Sequence, residues 1–121
     1  MEKKRILVID DAKGFTELVK EILEGTGRYE VEYVNTADRS MFAVREFKPD
    51  LVLLDVLMPG MDGAMVAEQI RKENASSKIP IIFISVLFSQ VQERMMGSYP
   101  FLAKPVRMKE LIKCVDSNLP D

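Results

Sequence analysis

Three runs of the chain, Arg5–Ile9 from Ile6 onward, Leu51–Leu54 and Ile81–Ile84, are continuously apolar and show no alternation. Such runs predict strands buried on both faces, as in the middle of a parallel sheet. Each stops at a polar group: Asp10-Asp11, Asp55 and Ser85. Glu30–Val34 alternates polar with apolar and predicts a strand with one exposed side, at an edge. Pro100–Ala103 predicts a brief fifth strand, also at an edge, because proline cannot donate a ladder hydrogen bond.

Between the strands the period changes to that of a helix. From Gly14, residues Phe15, Leu18, Val19, Ile22 and Leu23 recur at helical spacing, with Gly25 as the stop. Thr36 is read as the cap of a second helix, with Ala37, Met41 and Val44 facing inward and an end before Lys48-Pro49. Ala64, Ala67 and Ile70 define a third helix after a turn over Pro59–Gly63, closing near Asn74–Ser77. Ser89–Gln92 has the S-x-x-Q form of a capping box and predicts a short fourth helix before Gly97. Met108, Leu111, Ile112 and Val115 define the last helix. Strands alternating with helices imply a parallel α/β sheet with right-handed crossovers. Placing the wholly apolar strands inside yields the order 2-1-3-4-5, the flavodoxin-like doubly wound (βα)5 sandwich. No internal repeat or linker divides the chain, so residues 1–121 are expected to form one domain.

Composition narrows the functional classes. Hydrophobic content of 47%, charged content of 30% and a net charge of −2 exclude a polycation suited to nucleic acid, and no stretch is long enough to span a membrane. The single Cys114 cannot form an internal disulfide, and a cytoplasmic location is expected. The chain has no histidine, which removes the usual general base, the Ser/His/Asp triad and Cys/His zinc sites. Carboxylates, lysine and hydroxyls remain.

In an open α/β sheet, ligands bind beyond the carboxyl ends of the strands where the strand order reverses. Asp10, Asp11, Asp55, Ser85 and Lys104 all fall on that rim. Three carboxylates brought together repel unless a cation sits among them. Mg2+ prefers oxygen ligands and bridges carboxylates to phosphates, which suits Asp11 and Asp55 directly and Asp10 through water. Lys104 is expected to pair with Asp55 at rest and with a phosphoryl oxygen later, while the Ser85 hydroxyl donates to another phosphoryl oxygen. This is equipment for making and breaking an acyl phosphate.

At these residues the sequence resembles the receiver domain of two-component response regulators: Asp10-Asp11, Leu53-Leu54-Asp55, Met58-Pro59-Gly60-Met61-Asp62-Gly63, Ser85 and Lys104-Pro105 stand in order and near the usual spacing. The resemblance implies that Asp55 is the phosphoacceptor and that Asp11, Asp55 and the main-chain carbonyl of Leu57 hold Mg2+. It implies that Ser85 and Phe101 form a switch pair and that Lys104-Pro105 is a cis peptide. It also implies a sensor histidine kinase or phosphotransfer protein as donor, and an output domain or target protein as recipient of the signal. The chain would then be a switch that assists its own phosphorylation and dephosphorylation rather than an enzyme acting on other molecules.

Two departures from the family pattern stand out. The stretch between Ser85 and Lys104 is short, with Gly97–Pro100 in place of the common Gly-Ala-Asp-Asp run. Leu57 and Leu87 are apolar where relatives often carry polar groups that position the hydrolytic water, from which a long-lived phosphoryl group is expected. Leu57 also argues against a haloacid-dehalogenase-like phosphatase, which needs an aspartate two residues after its nucleophile. Asp10-Asp11 would repel a flavin phosphate, and no G-x-x-x-x-G-K-[ST] loop is present for a nucleotide. The remaining alternative is a phosphorylation-independent interaction module that kept the fold.

Overall fold

The computed structural model describes residues 2–58, 61–73, 78–86 and 100–119. The elements, in order, are β1 (Lys4–Ile9), α1 (Lys13–Gly25), β2 (Tyr29–Val34), α2 (Ser40–Phe47), β3 (Leu51–Asp55), α3 (Gly63–Glu73), β4 (Ile81–Val86), β5 (Phe101–Lys104) and α4 (Met108–Asn118). The helix expected from Ser89, together with Leu87 and the turn residues Pro59 and Gly60, lies outside the described residues.

All strand pairings in the main sheet are parallel, and the order is β2-β1-β3-β4-β5, as the distribution of apolar runs implied. Alternation along each central strand sends its residues into two separate cores. Ile6, Val8, Leu51, Leu53, Ile82 and Ile84 pack with Val19 and Leu23 of α1 and Leu111 and Val115 of α4. Leu7, Ile9, Val52, Leu54, Ile81 and Phe83 pack with Val44 of α2 and Ala67 and Ile70 of α3. Both faces are covered, which is why these strands carry no polar alternation.

Several local expectations change. Leu18 is 50% exposed although it shares the spacing of the buried residues of α1, because the packed stripe runs through Phe15, Val19, Ile22 and Leu23. Thr36 makes no side-chain cap bond, and a 3-10 turn over Ala37–Arg39 precedes α2. Lys48 takes the left-handed conformation that ends α2 (φ 53, ψ 64), consistent with the helix ban on the residue before a proline. The segment after β3 is a two-rung antiparallel hairpin, Leu57–Met58 against Met61–Asp62, rather than a simple turn. Met108 is exposed at the start of α4.

The start and the middle of β2 are fastened from outside the sheet. The Tyr29 hydroxyl bonds Asp116 Oδ1 on α4, and Arg28 Nη2 donates to both oxygens of the same carboxylate at 3.1 and 2.9 Å. In the middle of the open edge, Val31 N donates to Glu24 Oε2 at 3.1 Å and Val31 O accepts from Lys20 Nζ at 2.7 Å. Lys20 and Glu24 are themselves an ion pair one turn apart on α1, 3.3 Å between charges. The backbone groups of Val31, which would help template another strand, are thus met by side chains. Glu24→Ala is expected to accelerate amide exchange at Val31 selectively and to cost about 1 kcal/mol in urea denaturation. Unchanged exchange at Val31 would contradict this account of the edge.

Candidate functional site

Register sets the rim. Ile9 lies opposite Leu54 in the β1–β3 ladder, so Asp10 and Asp55 follow on the same level of adjacent strands. By alternation Asp10 shares the face of Val8, Asp55 that of Leu53 and Lys104 that of Leu102, all on the α1–α4 side. Ser85 lies opposite Ala103 in the β4–β5 ladder and Phe101 opposite Phe83, which places these two on the α2–α3 side. The acid–lysine group and the Ser85–Phe101 pair therefore approach the rim from opposite faces of one sheet.

Carboxylate oxygens of Asp10, Asp11 and Asp55 all lie within 4.8 Å of one another. Asp10 is fully buried and Asp55 is 4% exposed, while Asp11 is open to solvent. Asp10 Oδ1 accepts from the Ala12 N–H at 2.9 Å, and the Asp10 carbonyl accepts from Asn35 Nδ2 at 2.8 Å, tying the β1 end to the loop after β2. Asp55 Oδ1 accepts from the Leu57 N–H at 3.0 Å. Lys104 Nζ stands 2.7 Å from Asp10 Oδ2 and 3.7 Å from Asp55 Oδ2. The lysine pairs with Asp55 at rest as expected, but its nearer partner is Asp10, for which no such pairing was expected. Even so, Asp10 Oδ2 has no aligned hydrogen-bond donor. The Lys104–Pro105 peptide is cis, as the resemblance implied.

Burial pushes the Asp55 carboxyl up from 3.8 to about 6. The Leu57 N–H and Lys104 oppose that rise; Asp10 and Asp11 add to it by repulsion. An acid this hard to ionise beside two further carboxylates is a strong place for a cation. The donor set fits a hard divalent ion: every side-chain ligand is an oxygen, and one buried oxygen lacks an aligned donor.

Of the residues expected from sequence, Asp10, Asp11, Asp55 and Lys104 are brought together. Ser85 is buried on the next strand, and Phe101 is half-buried against the α2–α3 core. Sequence reasoning passed over two contributors. Gly63, the first residue of α3, lies so close to the chain that a Cβ there would stand 2.8 Å from Val56 Cα and 3.2 Å from the Asp55 carbonyl oxygen. Phe15, read as a core residue of α1, also presents its ring to Lys104 Nζ, 4.5 Å from the centroid. The signal for Phe15 was its place, in the first turn of the helix that leaves the rim at Asp10-Asp11.

Residues 6–116 match the family model of the response regulator receiver domain. The DNA-binding response regulator MtrA of Mycolicibacterium paratuberculosis is 33% identical over 120 residues, covering 97% of this chain and 52% of that protein. Protein PilH of Pseudomonas aeruginosa is 32% identical over 120 residues, covering 95% of this chain and 97% of PilH. Among solved structures, chemotaxis protein CheY4 of Vibrio cholerae has the same fold, with a TM-score of 0.89 over 98% of this chain and 100% of that one at 23% identity. The chain belongs to the response regulator receiver family, whose members are signalling switches of two-component systems. It spans about half the length of the MtrA relatives. Among the described residues no helix is long and apolar enough to cross a membrane.

The raised Asp55 pKa has a signed consequence. Without a cation, the folded chain holds the Asp55 proton more tightly than the unfolded one, so stability falls as pH rises from about 4 to 6. Asp55→Asn removes that decline, and urea titrations at stepped pH should show the variant gaining on the wild type across this window and levelling above it. A pH-independent difference would contradict the assignment.

Proposed function

We propose that the chain is a phosphoacceptor domain of a two-component phosphorelay. Asp55 takes a phosphoryl group from a sensor histidine kinase or phosphotransfer protein and thereby controls an output domain or target protein. The observation that carries this reading is the placement of a buried carboxyl, hard to ionise, within reach of two more carboxylates and a lysine. An Asp55 oxygen forms the new P–O bond as the P–N bond of a phosphohistidine donor breaks, and the leaving imidazole nitrogen takes up a proton. Asp11, Asp55 and the Leu57 carbonyl would hold Mg2+ directly, with Asp10 through water, and the ion would offset carboxylate repulsion and draw charge from the phosphoryl oxygens.

This chain's own residues supply the rest. Lys104, already poised between Asp10 and Asp55, carries a full positive charge for a phosphoryl oxygen. Ser85 offers a hydroxyl from the opposite face of the sheet, and its movement would draw Phe101 inward, so that a change of charge at Asp55 is read out at the edge strand β5. Incubation with a small phosphodonor and Mg2+ should add the mass of one phosphoryl group, and Asp55→Asn should abolish it. Absence of an adduct under all such conditions would favour the phosphorylation-independent interaction module.

Leu57, two residues beyond Asp55, is 51% exposed, and Leu87, its counterpart beyond Ser85, lies outside the described residues. The Leu57 side chain cannot orient an attacking water, which supports slow hydrolysis of the acyl phosphate. Leu57→Asn is expected to shorten the lifetime of the phosphorylated form several-fold, followed by intact-mass decay after removal of the donor. An unchanged decay rate would remove the role assigned to Leu57.

A further inference from the structure

We infer that Phe15 is a positioning residue for Lys104, holding the ammonium at the rim by its aromatic face; the inference rests on the phosphoacceptor reading above. Lys104 ends an edge strand and carries a flexible four-carbon stem, and its side chain is only 20% exposed. Its surroundings account for that. Asp10 and Asp55 take the charge on one side, and the ring of Phe15, 4.5 Å from Nζ, covers another. Phe15 cannot move away freely, because it packs on the α1–α4 core in the first turn of α1.

The chemistry of an aromatic partner differs from that of another carboxylate. The ring face attracts the cation through its quadrupole but neither neutralises it nor competes for a proton. A lysine held this way keeps its charge available for a phosphoryl oxygen while its stem is prevented from swinging into water. Asp55 is altered when a phosphoryl group arrives, and a cation would compete with Lys104 for both carboxylates, so among its described partners the ring is the one whose attraction is not contested. Part of the ordering entropy of Lys104 is therefore met before the donor binds.

The test compares Phe15→Leu, which keeps an apolar side chain, with Phe15→Tyr, which keeps the ring. Two measurements are made on the full chain: the proton shift of the Lys104 ε-methylene, and the rate of adduct formation at Asp55 with acetyl phosphate and Mg2+. In the wild type the ε-methylene should resonate upfield through the ring current. Phe15→Leu should lose that shift and form adduct about three- to tenfold more slowly, a range in keeping with a partly desolvated cation–π contact; Phe15→Tyr should preserve both. Loss of the ring-current shift with a wild-type rate, or equal slowing by leucine and tyrosine, would overturn the inference alone. Absence of adduct in the wild-type chain would overturn the phosphoacceptor reading and this inference with it.

Discussion

Mutual repulsion of three carboxylates at the end of a hydrophobic sheet is the constraint on which the site is built. Left to themselves, Asp10, Asp11 and Asp55 would move apart; burial is the main cause of the raised pKa of Asp55, and repulsion by Asp10 and Asp11 adds to it. The framework does not let them separate. Asp10 is held through its Oδ1, its N–H and its carbonyl, by Ala12, Val34 and Asn35 respectively, and Asp55 by the Leu57 N–H. Behind them stand strands whose side chains are buried on both faces, so any retreat of the carboxylates would disrupt two cores at once. Lys104 relieves the tension only in part, since one ammonium serves two buried carboxylates at unequal distance.

The same sheet separates the acid–lysine group from the Ser85–Phe101 pair. Asp55 and Lys104 approach the rim from the α1–α4 side, while Ser85 and Phe101 lie toward α2 and α3, and the two sets meet only at the strand ends. Strand alternation alone produces this division. The two faces are one residue apart along β4, from Ile84, opposite Asp55, to Ser85.

Much of this was legible in the chain itself. The central strands announced themselves because burial on both faces abolishes alternation, and the polar residue after each marked the rim. The edge character of β2 followed from Glu30 and Glu32, and the end of α2 from Pro49. Features that depend on three-dimensional neighbours were not legible. Leu18 has the spacing of a core residue, but it lies half-exposed, outside the packed stripe of the described core. Thr36 has the chemistry of a cap, but a 3-10 turn replaces the first helical turn. That Lys104 favours Asp10 over Asp55, and that Phe15 faces the lysine, depend on how α1 lies against the sheet. Gly63 read as a turn former, whereas its lack of a side chain admits the backbone of Val56.

Lys20 and Glu24 occupy the middle of the outer edge of β2 with a cation on the carbonyl and an anion on the amide of Val31. A single residue of the strand is thereby given the polarity pattern of a neighbouring chain by two side chains of a helix. At this point the edge is closed chemically and not merely by the sheet running out of strands. A strand aligned along β2 would find the N–H and carbonyl of its central residue already engaged by a helix, so the register that pairing needs is interrupted midway.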